Sequence, residues 1–297
     1  MAEGWMEARA CAKVNLRLRI FPRAADGYHP LETLLCRIDH ADRVGVRLWP
    51  EPPRIWLRLE GGEAAADVPD GPDNLAYRAA ATFAERAGMI GSIEVALEKT
   101  IAPGAGLGGG SSDAAAVLRT LEGALDLPGG GEAMMEIATE LGADVPFFAA
   151  DLPVALARGR GERLTAVPGL EPRPMLLALP AVRIATAEAY AAWDDAYQRG
   201  AIGPAADPAL EPHELADWER VSARAINDFE PVIFARYPEL ADLRDRIESS
   251  GAIVARLSGS GSTVFGIYDS EARRDDARAR LQDVFQNVGW VSARGPV

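Results

Sequence analysis

Pro103-Gly104-Ala105-Gly106-Leu107-Gly108-Gly109-Gly110-Ser111-Ser112-Asp113 is the stretch of this sequence whose residue types most plainly suit chemistry. Glycine has no Cβ, so its backbone can take positive φ and bring N–H groups against a ligand. Before the run, Ile93, Val95 and Leu97 alternate with Ser92, Glu94 and Ala96, the pattern of a half-buried strand. After it, Ala114, Val117, Leu118 and Leu121 recur at helical spacing, which predicts a helix starting near Ser111 or Ser112 with either serine as N-cap. Strand, glycine loop and helix start make an anion cradle of unpaired N–H groups and a positive dipole end. Phosphate is the usual occupant. A flexible linker suits the run poorly, because Leu107 interrupts it and ordered elements flank it. Gly104, Gly106 and Gly109 also fit G-x-G-x-x-G by spacing. The acidic strand end expected about 20 residues further on would fall in Leu125-Asp126-Leu127-Pro128-Gly129, which reads as a turn. No Lys precedes the serines, so the loop is not a Walker loop either.

Three other places carry polar groups in suggestive settings. From residue 10 to 20, Ala10, Ala12, Val14, Leu16, Leu18 and Ile20 alternate with Cys11, Lys13, Asn15, Arg17 and Arg19. That strand pattern sets Lys13 beside Asn15 on one face, either as a functional surface or as a solvated one, with Arg17 and Arg19 suited to solvent. In Arg23-Ala24-Ala25-Asp26-Gly27-Tyr28-His29-Pro30 the Asp-Gly pair signals a turn. Tyr28 and His29 beside it could stack on and hydrogen-bond to a base, or anchor the loop to the core. In Gly142-Ala143-Asp144-Val145-Pro146-Phe147-Phe148 a lone carboxylate sits among apolar residues. It reads either as a cap or turn former, or as a carboxylate in a partly desolvated cleft.

These residues need a scaffold. Strands are predicted at 44–48 and 55–59, separated by the Pro50 to Pro53 turn, and a polar loop at 61–73. Asn74 opens a helix that Gly88 ends, followed by a strand at 93–98. A further helix holds Met134, Met135, Ile137, Ala138 and Leu141 and closes at Gly142, its methionines filling the core. A hairpin at 153–167 turns at Gly159-Arg160-Gly161. The Pro-rich 167–174 marks a boundary between domains 1–168 and 169–297. Beyond it come a strand at 175–179, a helix at 186–197 capped by Thr186, a mobile loop at 199–212, and helices near 213–225 and 239–249. The strand 253–257, the Ser258-Gly259-Ser260-Gly261-Ser262 loop, the strand 264–268, a helix at 271–285 and a strand near 288–291 finish the chain. That second Gly/Ser loop is a hairpin turn or a second ligand loop. The mixture indicates an α+β protein.

A length of 297 residues suggests about two domains. The formal charge of −13 argues against nucleic-acid and anionic-membrane partners. Cys11 and Cys36, with His29, His40 and His213, form no CxxC and no helical His pair, so a structural zinc site is not expected. Two cysteines, no signal-like N-terminus and no long apolar run lead to the expectation of a cytoplasmic protein, a monomer or weak homodimer.

Taken together, the motifs resemble a known family. Ala10-Cys11-Ala12-Lys13-Val14-Asn15-Leu16 is similar to the opening strand of GHMP-type small-molecule kinases, Pro103 to Ala115 to their phosphate loop, and Leu257 to Gly266 to their C-terminal loop. Asp26-Gly27-Tyr28-His29, Leu107 to Asp113, Gly142 to Phe148, Gly159-Arg160-Gly161-Glu162 and Asn227-Asp228-Phe229-Glu230-Pro231 resemble the branch that works in non-mevalonate isoprenoid synthesis. The resemblance implies an N-terminal ATP-binding domain, a C-terminal ferredoxin-like domain and an active site between them. It implies transfer of the ATP γ-phosphoryl group to the 2-hydroxyl of 4-diphosphocytidyl-2-C-methyl-D-erythritol. By position, Asp144 would be the catalytic carboxylate and Lys13 its partner. Pro103 to Asp113, Asn74 and Lys99 would bind ATP. Asn15, Tyr28, His29, Thr186, Tyr190, Ser260 and Gly261 would bind the cytidine-bearing substrate. Mg²⁺ follows from the chemistry of ATP, with Ser112 as a ligand; Asp113 would touch the metal, cap the helix or face away.

The residue types agree with that chemistry. Phosphoryl transfer needs positioning and charge stabilisation more than covalent work. A carboxylate can accept the hydroxyl proton, and a lysine can keep it ionised and stabilise the phosphoryl oxygens. Aromatics across a pyrimidine would select it by stacking. The competing readings are a mevalonate- or homoserine-type GHMP kinase, a nicotinamide-dependent oxidoreductase and a non-catalytic nucleotide sensor.

Overall fold

A computed structural model describes residues 4–50, 52–125, 127–203 and 209–297. Asp126 of the predicted turn and residues 204–208 of the predicted mobile loop lie outside the described residues. The chain begins with β1 (Met6–Ile20), β2 (Leu31–Trp49), β3 (Ile55–Glu60), α1 (Gly62–Ala65), α2 (Leu75–Arg86) and β4 (Ser92–Glu98). Next come α3 (Gly109–Ala124), α4 (Gly130–Leu141), α5 (Val145–Ala149), β5 (Val154–Gly159), β6 (Arg163–Ala166) and β7 (Arg173–Pro180). It continues with α6 (Thr186–Gln198), α7 (Trp218–Arg224), α8 (Glu230–Arg236), α9 (Pro238–Ser249), β8 (Val254–Leu257), β9 (Val264–Ile267), α10 (Glu271–Val284) and β10 (Val288–Gly295).

These elements form two compact units, each built from separate stretches of chain. One comprises Met1–Ala12, His40–Pro103 and Gly108–Leu152; the other comprises Lys13–Asp39, Gly104–Leu107 and Pro153–Val297.

In the first unit β4 pairs antiparallel with the C-terminal part of β2, Val44 opposite Leu97, and parallel with β3, Ile55 opposite Ile93. The strands flanking Pro50 and Pro53 are therefore not partners, since β4 lies between them. Helix α3 packs on α2, α4 and α5. Both helices bury alanines, Ala76, Ala79 and Ala80 on α2 and Ala114 and Ala115 on α3. Such small side chains let two helix axes approach closely. Asn74 caps α2 as expected, its Oδ1 accepting the Ala76 N–H at 2.8 Å.

In the second unit β2 begins by pairing with β5, and β5 with β6, around the expected turn. A separate antiparallel sheet has the order β10-β7-β9-β8. Helices precede β8, and α10 lies between β9 and β10, so the unit has the β-α-β-β-α-β succession of a ferredoxin-like layer. Its core joins Leu176, Val264, Phe229, Trp193, Leu243, Ile247 and Tyr268. Each such side chain, once buried, stabilises the fold by about 1.5–3 kcal/mol.

Several expectations need correction. Arg17 and Arg19 are not solvated; they are 3% and 9% exposed. Arg17 donates to the Arg224 carbonyl at 2.8 Å, and Arg19 pairs with Asp228 at 3.1 Å. The region 213–225 is not one helix but a short 3-10 turn, Pro212–Leu215, followed by α7. Thr186 is the first residue of α6 rather than its cap, and Ala185 holds the cap position. Helix α8 was not expected at all. Among the described residues, no helix is long and apolar enough to cross a membrane.

Candidate active site

Helix α3 begins at Gly109, earlier than the serines suggested, with Gly108 at the cap in the left-handed region at φ 73°. The serines therefore lie within the first turn. Ser112 is 3% exposed, and its hydroxyl donates to the Cys11 carbonyl at 2.7 Å. That bond directs the hydroxyl proton to Cys11 and leaves lone pairs on Oγ. The sequence offered no signal for this, because a serine at a helix start reads first as a cap.

Lys99 and Asp113 also belong to this unit, and they hold each other. Lys99 Nζ lies 2.5 Å from Asp113 Oδ2 and 2.5 Å from Asp42 Oδ2. Asp42 is fully buried, and its Oδ1 accepts the amides of Thr100 at 2.5 Å and Ile101 at 2.8 Å. One carboxylate thus fixes the chain leaving β4, and one ammonium ties that chain to the start of α3. Burial pushes the Asp113 carboxyl up to about 7; Lys99 counters this and the charge of Asp42 reinforces it. Burial pulls Lys99 down, but Asp113 and Asp42 outweigh it and hold the ammonium above its ordinary value. Nothing in the sequence marks Asp42, since an acidic residue inside a strand has no spacing that distinguishes it. Asn74, 7% exposed, uses its amide to cap α2 and to donate to the Pro69 carbonyl at 2.8 Å. Asp144 stands at the cap position of α5, half-buried, and its side chain makes no capping bond to that helix.

In the second unit Lys13 is 4% exposed, and its Nζ donates to Asn15 Oδ1 at 2.7 Å and to the Gly106 carbonyl at 3.0 Å. Asn15 in turn donates to Thr33 Oγ1 at 2.9 Å, and Thr33 donates to the Arg17 carbonyl at 2.7 Å. The Lys13 amide donates to the Leu107 carbonyl at 2.9 Å, so β1 grips the glycine run through both backbone and side chain. The Ser/Gly loop grips it too, with Ser258 Oγ donating to the Gly106 carbonyl at 2.8 Å. Gly106 has φ +78°, and a Cβ there would lie 2.1 Å from the Ser258 carbonyl oxygen, so a side chain is excluded. The Asn227 motif supports this loop: Asn227 Nδ2 donates to the carbonyls of Leu257 and Gly259, both at 2.8 Å.

The remaining predicted residues gather in the same unit. His29 Nδ1 donates to the Phe21 carbonyl at 2.8 Å, and its Nε2 lies 3.2 Å from Asp194 Oδ1. Its ring stacks on Tyr190, centroids 5.1 Å apart and planes 14° apart. Arg23 also pairs with Asp194, at 2.6 Å. Tyr28 next door is 56% exposed. Thr186 and Ser260 share a hydroxyl hydrogen bond at 3.2 Å, and Gly261 follows at φ +92°.

Comparison with known proteins agrees along the whole chain. The family profile described as GHMP kinases N terminal domain matches residues 74–151, and GHMP kinases C terminal matches 208–287. A protein of Geobacter sp. (strain M21) named 4-diphosphocytidyl-2-C-methyl-D-erythritol kinase is 37% identical over 288 residues, 97% of each chain. A crystal structure of 4-(cytidine 5'-diphospho)-2C-methyl-D-erythritol kinase superposes with TM-score 0.76 at 34% identity, covering 98% of this chain and 99% of that one. Homoserine kinase from Cytophaga hutchinsonii superposes with TM-score 0.71 at 17% identity, covering 99% and 95%, a likeness of fold alone.

Proposed function

Because the chain belongs to the 4-diphosphocytidyl-2-C-methyl-D-erythritol kinase family of GHMP kinases, we propose that it phosphorylates the 2-hydroxyl of that cytidyl alcohol. It is an ATP-dependent small-molecule kinase. The observation that carries the reading is Lys13, a buried ammonium donating to the Gly106 carbonyl of the glycine run. It supplies from β1 the charge that a Walker loop takes from its own lysine. The profile matches on either side of residue 168 support a division into domains 1–168 and 169–297. The low cysteine count, Cys11 and Cys36 alone, supports a cytoplasmic setting.

In the reaction the 2-hydroxyl oxygen attacks the γ-phosphorus, the bond to the β-phosphate oxygen breaks, and ADP leaves. N–H groups from Gly106 to Ser111 hold the β- and γ-phosphates, aided by the dipole of α3, whereas the Ser112 N–H already donates to the Gly108 carbonyl at 2.9 Å. Lys13 stabilises charge on the transferring oxygens, with Asn15 fixing its ammonium. Asp144 accepts the hydroxyl proton. Mg²⁺, which neutralises triphosphate charge when bound, fits Ser112, whose Oγ keeps lone pairs while its proton points to Cys11. Asp113 fits that role less well, because it holds Lys99. Tyr28 and Tyr190 contact the cytosine, and the ring of His29 is held by its hydrogen bond to the Phe21 carbonyl, with Asp194 beside it. Thr186, Ser260 and Gly261 line the rest of the acceptor site.

A coupled ADP-release assay with the cytidyl alcohol, mevalonate and homoserine as acceptors tests this. Turnover with the first alone is expected; turnover of mevalonate or homoserine without the cytidyl alcohol would overturn it.

A further inference from the structure

We propose that Arg160 is the positioning residue that sets Tyr28 for the base of its ligand, and so helps determine selection of the cytidine-bearing acceptor. The proposal rests on the reading of Tyr28 as a base-stacking residue.

Arg160 stands at the tip of the β5–β6 hairpin, in the Gly159-Arg160-Gly161-Glu162 motif to which the phosphoryl-transfer chemistry gives no task. Its backbone is fixed. The Arg160 N–H donates to Glu162 Oε2 at 2.7 Å. Gly159 turns at φ +77°, where a Cβ would lie 2.5 Å from Glu162 Oε1. From this tip the guanidinium crosses to the Asp26–Tyr28 loop. Nη2 donates to Asp26 Oδ2 at 2.9 Å, and Cζ lies 3.8 Å from the centre of the Tyr28 ring. The other oxygen of Asp26 accepts the Tyr28 N–H at 3.0 Å. One carboxylate therefore aligns both the guanidinium and the backbone that carries the ring. The loop is braced again by Ala24 N–H on the Tyr28 carbonyl at 2.9 Å and by Arg23 on the Gly27 carbonyl at 2.8 Å.

With Arg160 over one face, Tyr28 is still 56% exposed, which leaves surface for a planar partner. A guanidinium stacked on an aromatic ring restricts its rotation and keeps the ring polarised. A ring fixed beforehand binds a base without the loss of rotamer freedom that a loose ring would suffer. The arrangement is thus a three-layer stack of guanidinium, phenol and pyrimidine with its last layer supplied by the ligand. Lysine in place of Arg160 would keep the charge but lose the planar stack.

Steady-state kinetics of the full chain provide the test, varying 4-diphosphocytidyl-2-C-methyl-D-erythritol and ATP in turn. Arg160→Ala is expected to raise KM for the acceptor about two- to fivefold, with kcat and KM for ATP unchanged. Arg160→Lys should restore part of the loss. In a Tyr28→Ala background, Arg160→Ala should add nothing, because its effect passes through the ring. An unchanged acceptor KM in Arg160→Ala would overturn the proposal while leaving Tyr28 its role. Fully additive effects would also overturn it, by showing that Arg160 acts independently of the ring. If Tyr28→Ala leaves the acceptor KM unchanged, the base-stacking reading fails and the proposal fails with it.

Discussion

Lys13 and Lys99 are equally buried, at 4% exposure each, yet they are tied to different things. Lys99 bridges two carboxylates, Asp42 and Asp113, and through them fastens the end of β4 to the first turn of α3. Lys13 reaches the Gly106 carbonyl and the Asn15 amide oxygen, at the glycine run itself. Burial alone does not separate the two; what each ammonium holds does. Lys99 joins two carboxylates, whereas Lys13 holds the carbonyl of the glycine run proposed to take phosphate.

The largest effect that would sharpen this contrast is on rate. Lys13→Met should slow kcat by about 10³-fold, the order of a lost transition-state charge contact, while lowering the melting temperature less than Lys99→Met does. A comparable fall in melting temperature would make Lys13 a framework residue like Lys99. Lys99→Met should do the reverse, leaving two buried carboxylates without their counterion and destabilising the fold by about 3–5 kcal/mol. Urea unfolding checks this, and an unchanged midpoint would break the comparison. Gly106→Ala should cost about 1–3 kcal/mol through its left-handed backbone and raise KM for ATP, because the run must move away from Ser258. Gly104→Ala, with open space around its Cβ position, should disturb ATP binding less.

The smallest effect is on pH dependence. Asp113 has a folded-state pKa of about 7 against an ordinary 3.8, raised chiefly by burial. A raised carboxyl favours the folded state while protonated, so its contribution is fully present below about pH 4 and is lost as pH rises through about 7. Melting temperatures of Asp113→Asn across that window should fall less with rising pH than those of wild type. Parallel profiles would remove Asp113 from the account.

The sequence made some of this plain. Strict alternation along β1 placed Lys13 beside Asn15 and on one face with Arg17 and Arg19. It could not say that this face is buried as well, because the pairing partners Glu32 and Asp228 lie far away in the chain. The N-terminal part of β2 was illegible for a related reason: Glu32 to Cys36 are buried in succession, so no polar alternation survives. The serines were misjudged as caps because the glycine before them does the capping through its backbone. Asp42 and Asp194 gave no sign at all, since their importance comes from what the fold brings to them. That each compact unit is assembled from separate stretches of chain is also a property of contacts, which spacing along the sequence does not display.

The proposed chemistry turns on Asp144, and single-turnover transfer from γ-labelled ATP to the cytidyl alcohol in Asp144→Asn tests it most directly. The transfer rate should be lower by about 10²- to 10⁴-fold, with the ATP dissociation constant close to wild type. A transfer rate within about twofold of wild type would contradict the assignment of Asp144 as the proton acceptor.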